Sequence, residues 1–199
     1  MFVYVGGIPG VGKTTIIKRS IELAKREDFS IQGLGEKKLL CQIVGVNLTE
    51  KYAKLLPEIR ARARKQLVEI FYNVDTQDPV TIRIRDDHFT VPNEDGTYWI
   101  RPFNQRDKLH MLAFVVIIAE PNMILQRRLA REFLPPELSF LDLNEISRHQ
   151  EMEMKIASSQ AECLGIPFKI VENEEGEIEQ ASEAFLSFVK EIIRKRRLE

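Results

Sequence analysis

The chain begins with an unbroken apolar run, MFVYV over residues 1–5, that is β-branched and aromatic and reads as a buried strand. Residues 13–27 switch to helical spacing. Ile16, Ile17, Ile21 and Ala24 make an apolar stripe, with Lys18, Arg19, Glu22 and Lys25 outside it. LLCQIVGVN (39–47) predicts a second strand. Thr49 is placed to cap a helix that meets Pro57 and restarts as PEIRARARKQLVEIFYN, where Ile59, Ala63, Leu67 and Ile70 share one face. PVTIRIRDDHF (79–89) predicts a third strand. Its alternation of Val80, Ile82 and Ile84 with Thr81, Arg83 and Arg85 does not suit a strand buried on both faces, so one face is expected near a charged site, or the strand elsewhere. TVPNEDGTYWI (90–100) carries turn residues at 93–96 between two β-rich stretches and predicts a hairpin. LAFVVIIAE (112–120) is apolar on both faces, as a central parallel strand should be. Pro121 opens a helix through about Glu132, FLPPELSFLDL (133–143) reads as a loop, and Asn144 caps a helix from about 145 to 164, stopped by Gly165. PFKIVEN (167–173) is a fifth strand, followed by a turn and a last helix over 178–196.

Strands alternating with helices predict an α/β fold with a parallel sheet flanked by helices. At 199 residues, 44% of them hydrophobic, the chain is expected to form one domain with a sizeable core. Charged residues reach 30% but nearly cancel to a net −1, which argues against nucleic acid or a membrane as the main partner. The longest apolar run, near 112–119, is too short to span a bilayer. No basic segment precedes the first strand, so no signal peptide is expected. Two cysteines, Cys41 and Cys163, suit a reducing cytoplasm.

Gly7-Ile8-Pro9-Gly10-Val11-Gly12-Lys13-Thr14 matches the G-x-x-x-x-G-K-[ST] phosphate loop in full, between a strand and an amphipathic helix. Glycines let successive N–H groups converge on one anion, and the helix adds its positive end. Lys13 is placed for the β- and γ-phosphates, the Thr14 hydroxyl for Mg²⁺, and Thr15 near the phosphates. A second acid is expected at a neighbouring strand end. Asp86 and Asp87 stand there, with Asp86 favoured for the water shell of Mg²⁺.

The phosphate loop, DDHFTVPNEDGTYWIRPF, QRRLAREF and EISRHQEMEMKIASSQAECLGIPFKIVENEEG, in that order, resemble the archaeal-type adenylate kinase family. The resemblance is strong at residues 3–18, moderate at 121–132 and 145–176, and weak between 28 and 78. It implies a P-loop NTPase fold with a five-stranded parallel sheet, an acceptor-side cap at about 47–75, the hairpin at about 88–101 and a lid-like loop at about 132–144. It implies transfer of the γ-phosphoryl group of ATP to a nucleoside monophosphate, most simply AMP, with Mg²⁺. It also implies a trimer or another small homo-oligomer. Arg127, Arg128 and Arg131 match the family's arginine cluster before the lid, and Asp86 and His88 match its acidic and histidine positions. His88, Arg85 and Arg60 are the acceptor candidates, and Arg101 flanks the same region. The chain also departs from the family. No basic residue occurs from Phe133 to Ser147, which thins the lid's charge clamp and leaves Arg148 as the nearest substitute. The family's acceptor-gripping arginine falls near Ala53, with Arg60, Arg62 or Arg64 as replacements, and HQEMEM stands where the family continues with Asn-Arg.

Other functions that use a phosphate loop leave different marks. There is no Asn-Lys-x-Asp segment for guanine and no Leu-Ser-Gly-Gly signature. A shikimate-like or nucleoside kinase stays open, with Glu50 the only acid near the end of GVNLTE. So does a degenerate kinase fold acting as an ATPase or ATP-binding switch. Tyr98 and Trp99 on the hairpin read as core cover or as stacking surfaces for a base. His110 and His149 have no metal-ligand spacing with the cysteines, and RKRR (194–197) reads as a basic helix end.

Overall fold

The first strand, β1 (Phe2–Gly6), is fully buried, and its alternate side chains enter two separate cores. The computed structural model describes residues 1–27, 29–47, 51–52, 54–78, 81–93, 95–130, 141–196 and 198. After β1 come α1 (Lys13–Arg26), β2 (Ile31–Leu34), α2 (Glu36–Ile43), α3 (Pro57–Gln77) and β3 (Ile82–Asp86). The hairpin strands β4 (Thr90–Pro92) and β5 (Tyr98–Ile100) follow, then α4 (Gln105–His110), β6 (Met111–Ile118) and α5 (Pro121–Leu129). The chain ends with α6 (Leu143–Leu164), β7 (Phe168–Glu172) and α7 (Ile178–Arg196).

The main sheet has the order β2-β3-β1-β6-β7, every pair parallel. On one face Val3, Val5, Ile84, Val115 and Ile117 pack with α1 and α7 through Ile16, Phe185 and Val189. On the other, Phe2, Tyr4, Phe114 and Val116 pack with Leu67 and Phe71 of α3 and Ala157 of α6. Period-2 alternation in the sheet thus meets helical stripes on both sides.

Several expectations need correction. The run 39–47 is not a strand: α2 occupies Glu36–Ile43, and the second strand is Ile31–Leu34. Leu39, Leu40, Ile43 and Val44 lie at helical spacing, with Leu40 buried and the others partly buried against the α3 side of the core. The buried face of α3 is Ala63, Leu67 and Phe71, whereas Ile59 and Ile70 are 42% and 43% exposed. Asp142, not Asn144, caps α6, accepting from the backbone N–H of Asn144 and Glu145 at 2.9 and 3.0 Å. Thr49 lies outside the described residues. The short helix α4, which the apolar pattern missed, starts from a capping box between Asn104 and Asp107.

The tension in the third strand has a clear answer. β3 lies between β2 and β1 and is buried on both faces, arginines included. Arg83 meets the Asp78 carboxylate at 2.7 Å. Arg85 meets Glu36 at 2.7 Å, and its guanidinium carbon stands 4.4 Å from the centre of the Phe71 ring. The paired guanidinium groups stand beside Phe2 and Tyr4 of β1, and that of Arg85 also stacks on aromatic rings.

Candidate active site

The turn after β1 runs through three glycines with left-handed backbone: φ is 134° at Gly7, 102° at Gly10 and 96° at Gly12. Its carbonyls are held from outside. Arg128 Nε donates to the Pro9 carbonyl at 2.9 Å, Arg127 to Gly10 at 3.1 Å, and Asn173 Nδ2 to Val11 at 2.6 Å. Fixing a carbonyl fixes the direction of the N–H across the same planar peptide, so the loop is pre-shaped as an anion nest. α1 starts at Lys13 and aims its positive end at the same place. The Lys13 ammonium donates to the Gly7 carbonyl, and His88 Nδ1 lies 2.7 Å from that same oxygen. Thr14 and Thr15 are exposed on the first turn.

A cleft of about 760 Å³ opens over the carboxyl ends of β1 and β3. The phosphate loop is one wall. Lys38, Cys41 and Gln42 of α2, with Asn47 beyond it, make the other. Asp86, Asp87 and His88 lie between the walls. Thr14 and Asp86 therefore face one space, as does His88. A second, smaller pocket of about 360 Å³ lies on the far side of the loop, lined by Gly12, Thr15, Arg127, Asn173, Gly176 and Ile178.

The arginines are distributed differently from the sequence reading. Arg127 is half-buried at the loop, while Arg128 is 1% exposed beneath it. Arg131 and most of the lid-like loop lie outside the described residues. Arg85 is not brought to the cleft, being 1% exposed and paired with Glu36. Arg101 bridges Glu36, at 3.3 Å, and the Asp87 carboxylate. Arg60 is half-buried on α3, where its carbonyl accepts from the Tyr52 hydroxyl at 3.4 Å. Arg64 stands over Trp99, 5.0 Å from the ring centre, which joins α3 to the hairpin. Arg148 pairs with Glu145 on the exposed side of α6.

Three residues that belong to no sequence motif shape the site. Asn173 follows β7 and holds the loop; its signal is its place at a parallel strand's carboxyl end. Glu36 ties α2 to two arginines across 49 and 65 residues of chain, a pairing no local pattern carries. Glu153 is 0% exposed and accepts from the backbone N–H of Gly7, Phe89 and Thr90 at 2.9, 2.8 and 2.7 Å. Its signal was the HQEMEM departure. Burial pushes the Glu153 carboxyl above the usual range, against the pull of its hydrogen bonds. Burial also pushes His149, one turn away, down to about 4.

Two kinds of comparison bear on this geometry. Over 192 residues the chain is 26% identical to an adenylate kinase of Methanococcus aeolicus, covering 94% of this chain and 97% of the relative. It is 28% identical over 175 residues to an adenylate kinase of Pyrococcus abyssi, covering 87% and 86%. The chain resembles the archaeal-type adenylate kinases over most of its length. No protein-family model matches it. Among solved structures, a shikimate kinase of Bacteroides thetaiotaomicron superposes with a TM-score of 0.54 at 12% identity, covering 96% of this chain and 98% of that one. A shikimate kinase of Acinetobacter baumannii, solved with shikimate, gives 0.54 at 16% identity, covering 100% and 95%. At the level these relatives and structures share, the chain has the fold of the P-loop kinases. Among the described residues, no helix is long and apolar enough to cross a membrane.

Proposed function

We propose that the protein transfers the γ-phosphoryl group of ATP to a nucleoside monophosphate, with AMP as the favoured acceptor. The observation that carries the proposal is the two-walled cleft, with the phosphate loop on one side, α2 on the other and Asp86 and His88 between them. The relatives that share most of this chain's length are adenylate kinases, and that is what favours AMP.

In this reading the donor phosphates lie along Gly7 to Thr15, and the smaller pocket beside Asn173 receives the donor base. Lys13 leaves the Gly7 carbonyl and takes the phosphates. Arg127, at the rim, and Arg131 complete the charge on the moving group. Arg128 is a positioning residue, holding the loop through Pro9. The Thr14 hydroxyl and Asp86 would hold Mg²⁺ and its water. Mg²⁺ in such sites takes one or two carboxylates and otherwise phosphate oxygens and water. That ion would neutralise charge on the phosphates. On the acceptor wall Lys38 is the cleft-lining cation, with His88 beside it. Arg60 remains a candidate from α3, and Arg85 is assigned to the core. The whole chain is read as one kinase domain with the cap, hairpin and lid of the family, forming a small homo-oligomer such as a trimer.

The test is ADP production from ATP and Mg²⁺ against a panel of AMP, other nucleoside monophosphates, shikimate and no acceptor. ADP that appears only with AMP supports the proposal. ADP with shikimate alone would assign another small-molecule kinase, and ADP with no acceptor would assign an ATPase.

A further inference from the structure

Glu153 takes no part in the chemistry above, yet it is the most completely enclosed acid at the site. Both carboxylate oxygens are filled. Oε1 accepts from the N–H of Gly7 and Phe89, and Oε2 from the N–H and hydroxyl of Thr90, at 2.7 and 2.5 Å. An ionised carboxylate accepts only, so four donors aimed at it match its charged form. The carboxylate also has little room to move, because a Cβ placed on neighbouring Gly6 would come within 3.1 Å of Oε1.

Its helix neighbours indicate what the charge adds. Gln150 grips the end of β6, accepting from Ala119 N–H at 3.1 Å and donating to its carbonyl at 3.0 Å. His149 Nε2 lies 3.4 Å from the Thr90 carbonyl. One inward stripe of α6 thus holds the carboxyl ends of β1 and β6 and the start of the hairpin. A neutral amide does this work at Ala119. Burying a carboxylate is far more costly than burying an amide, so gluing alone does not require Glu153. What distinguishes its position is its relation to Lys13 through the backbone of Gly7. The two meet across a single residue. Glu153 holds the N–H entering Gly7, while Lys13 and His88 sit on the carbonyl leaving it. Gly7 itself has φ 134°, a conformation open to glycine and rarely adopted by other residues.

We propose that Glu153 is a positioning residue for Lys13. Its carboxylate clamps Gly7 and, through Phe89 and Thr90, the segment that carries His88. It thereby sets the pose from which Lys13 reaches the donor phosphates and ties the donor loop to the acceptor-side hairpin. This inference rests on the nucleotide-binding part of the proposed function.

The experiment is a double-mutant cycle on the full chain, reading ATP affinity by titration with Mg²⁺ and amide hydrogen exchange in the nucleotide-free protein. Glu153→Gln puts an NH₂ group against N–H donors. ATP binding is expected to weaken roughly tenfold in the wild-type background and less than about twofold beside Lys13→Ala. Exchange at the Gly7 and Thr90 amides is expected to accelerate. Thr90→Ala removes only the hydroxyl donor, should weaken binding by roughly threefold, and serves if Glu153→Gln does not fold. Equal losses in both Lys13 backgrounds would overturn the proposal and leave Glu153 a structural residue. A wild-type chain that does not bind ATP would instead overturn the nucleotide reading. In that case exchange decides the clamp: unchanged protection at Gly7 in Glu153→Gln refutes it, and faster exchange supports it.

Discussion

Gly12 and Lys13 adjoin in sequence but serve the site in different ways. Gly12 has φ 96°, and a Cβ there would overlap the amide of Asn173, which is itself bound to Val11. Gly12→Ala is expected to cost about 2 kcal/mol and to weaken nucleotide binding as the loop shifts. Denaturant unfolding checks this, and an alanine variant as stable as the parent would refute the strain argument. In the proposed mechanism Lys13 supplies charge rather than shape. Lys13→Ala should lower phosphotransfer by roughly 100-fold at saturating ATP while leaving unfolding nearly unchanged. Full turnover in the acceptor panel would remove Lys13 from the mechanism. At this scale the sequence was highly legible. The phosphate loop could be read residue by residue because each position answers a local need, either backbone freedom or one short reach. Arg128 was legible as part of a cluster but not in its role. Its cluster gave no sign that its Nε would hold the Pro9 carbonyl, which lies 119 residues away along the chain.

Among the elements, α2 departs most from its expected form. Its apolar residues suit a strand when read as a run and a helix when read by spacing. Burial of Leu40 beside Leu67 of α3 selects the helix. Glu36 anchors the first turn of α2 to Arg85, which is 1% exposed, and to Arg101. Glu36→Ala leaves Arg85 buried without its carboxylate and is expected to cost about 3 kcal/mol. The loss should exceed that of Glu69→Ala, whose carboxylate pairs with Arg106 at the exposed surface. Equal losses by chemical denaturation would show that the Glu36 pair carries no special weight. In the proposed function α2 is the acceptor wall, so the same variant should raise KM for the acceptor more than KM for ATP. The caps of α4 and α6 show how finely a boundary depends on geometry. Asp142 and Asn144 are both competent cap residues, and only the backbone path into the helix selects Asp142.

For the molecule as a whole, the buried polar stripe of α6 couples stability to pH. His149 is 4% exposed, and burial moves it from 6.5 to about 4. Between those values the unfolded chain takes a proton that the folded chain refuses, so stability falls as pH drops through that window. The total is about 3 kcal/mol, fully expressed only below the folded value. His110 is also lowered, chiefly by burial, and acts with the same sign. Glu153 is raised and opposes them: just above the usual carboxylate range the folded chain takes the proton first. The expected outcome is a net loss between about pH 6.5 and about pH 5, with a shallower slope in His149→Gln. Urea unfolding across that range checks it. An unchanged slope would mean that His149 does not carry the effect.

The sequence by itself determined the α/β alternation, the parallel strands around residues 2–6 and 111–118, and the phosphate loop with its lysine and threonine. These features depend on periodicity and on backbone needs that act over a few residues. Tertiary structure decided which strand follows α1, how β3 buries two arginines, and that Glu36, Asn173 and Glu153 hold the segments that line the cleft. Arg83 pairs with nearby Asp78, but the other outcomes depend on partners 49 to 162 residues apart. A buried charge is tolerable only where a partner meets it, and for Arg85 and Glu153 the partners are distant residues that arrive only once the sheet has formed.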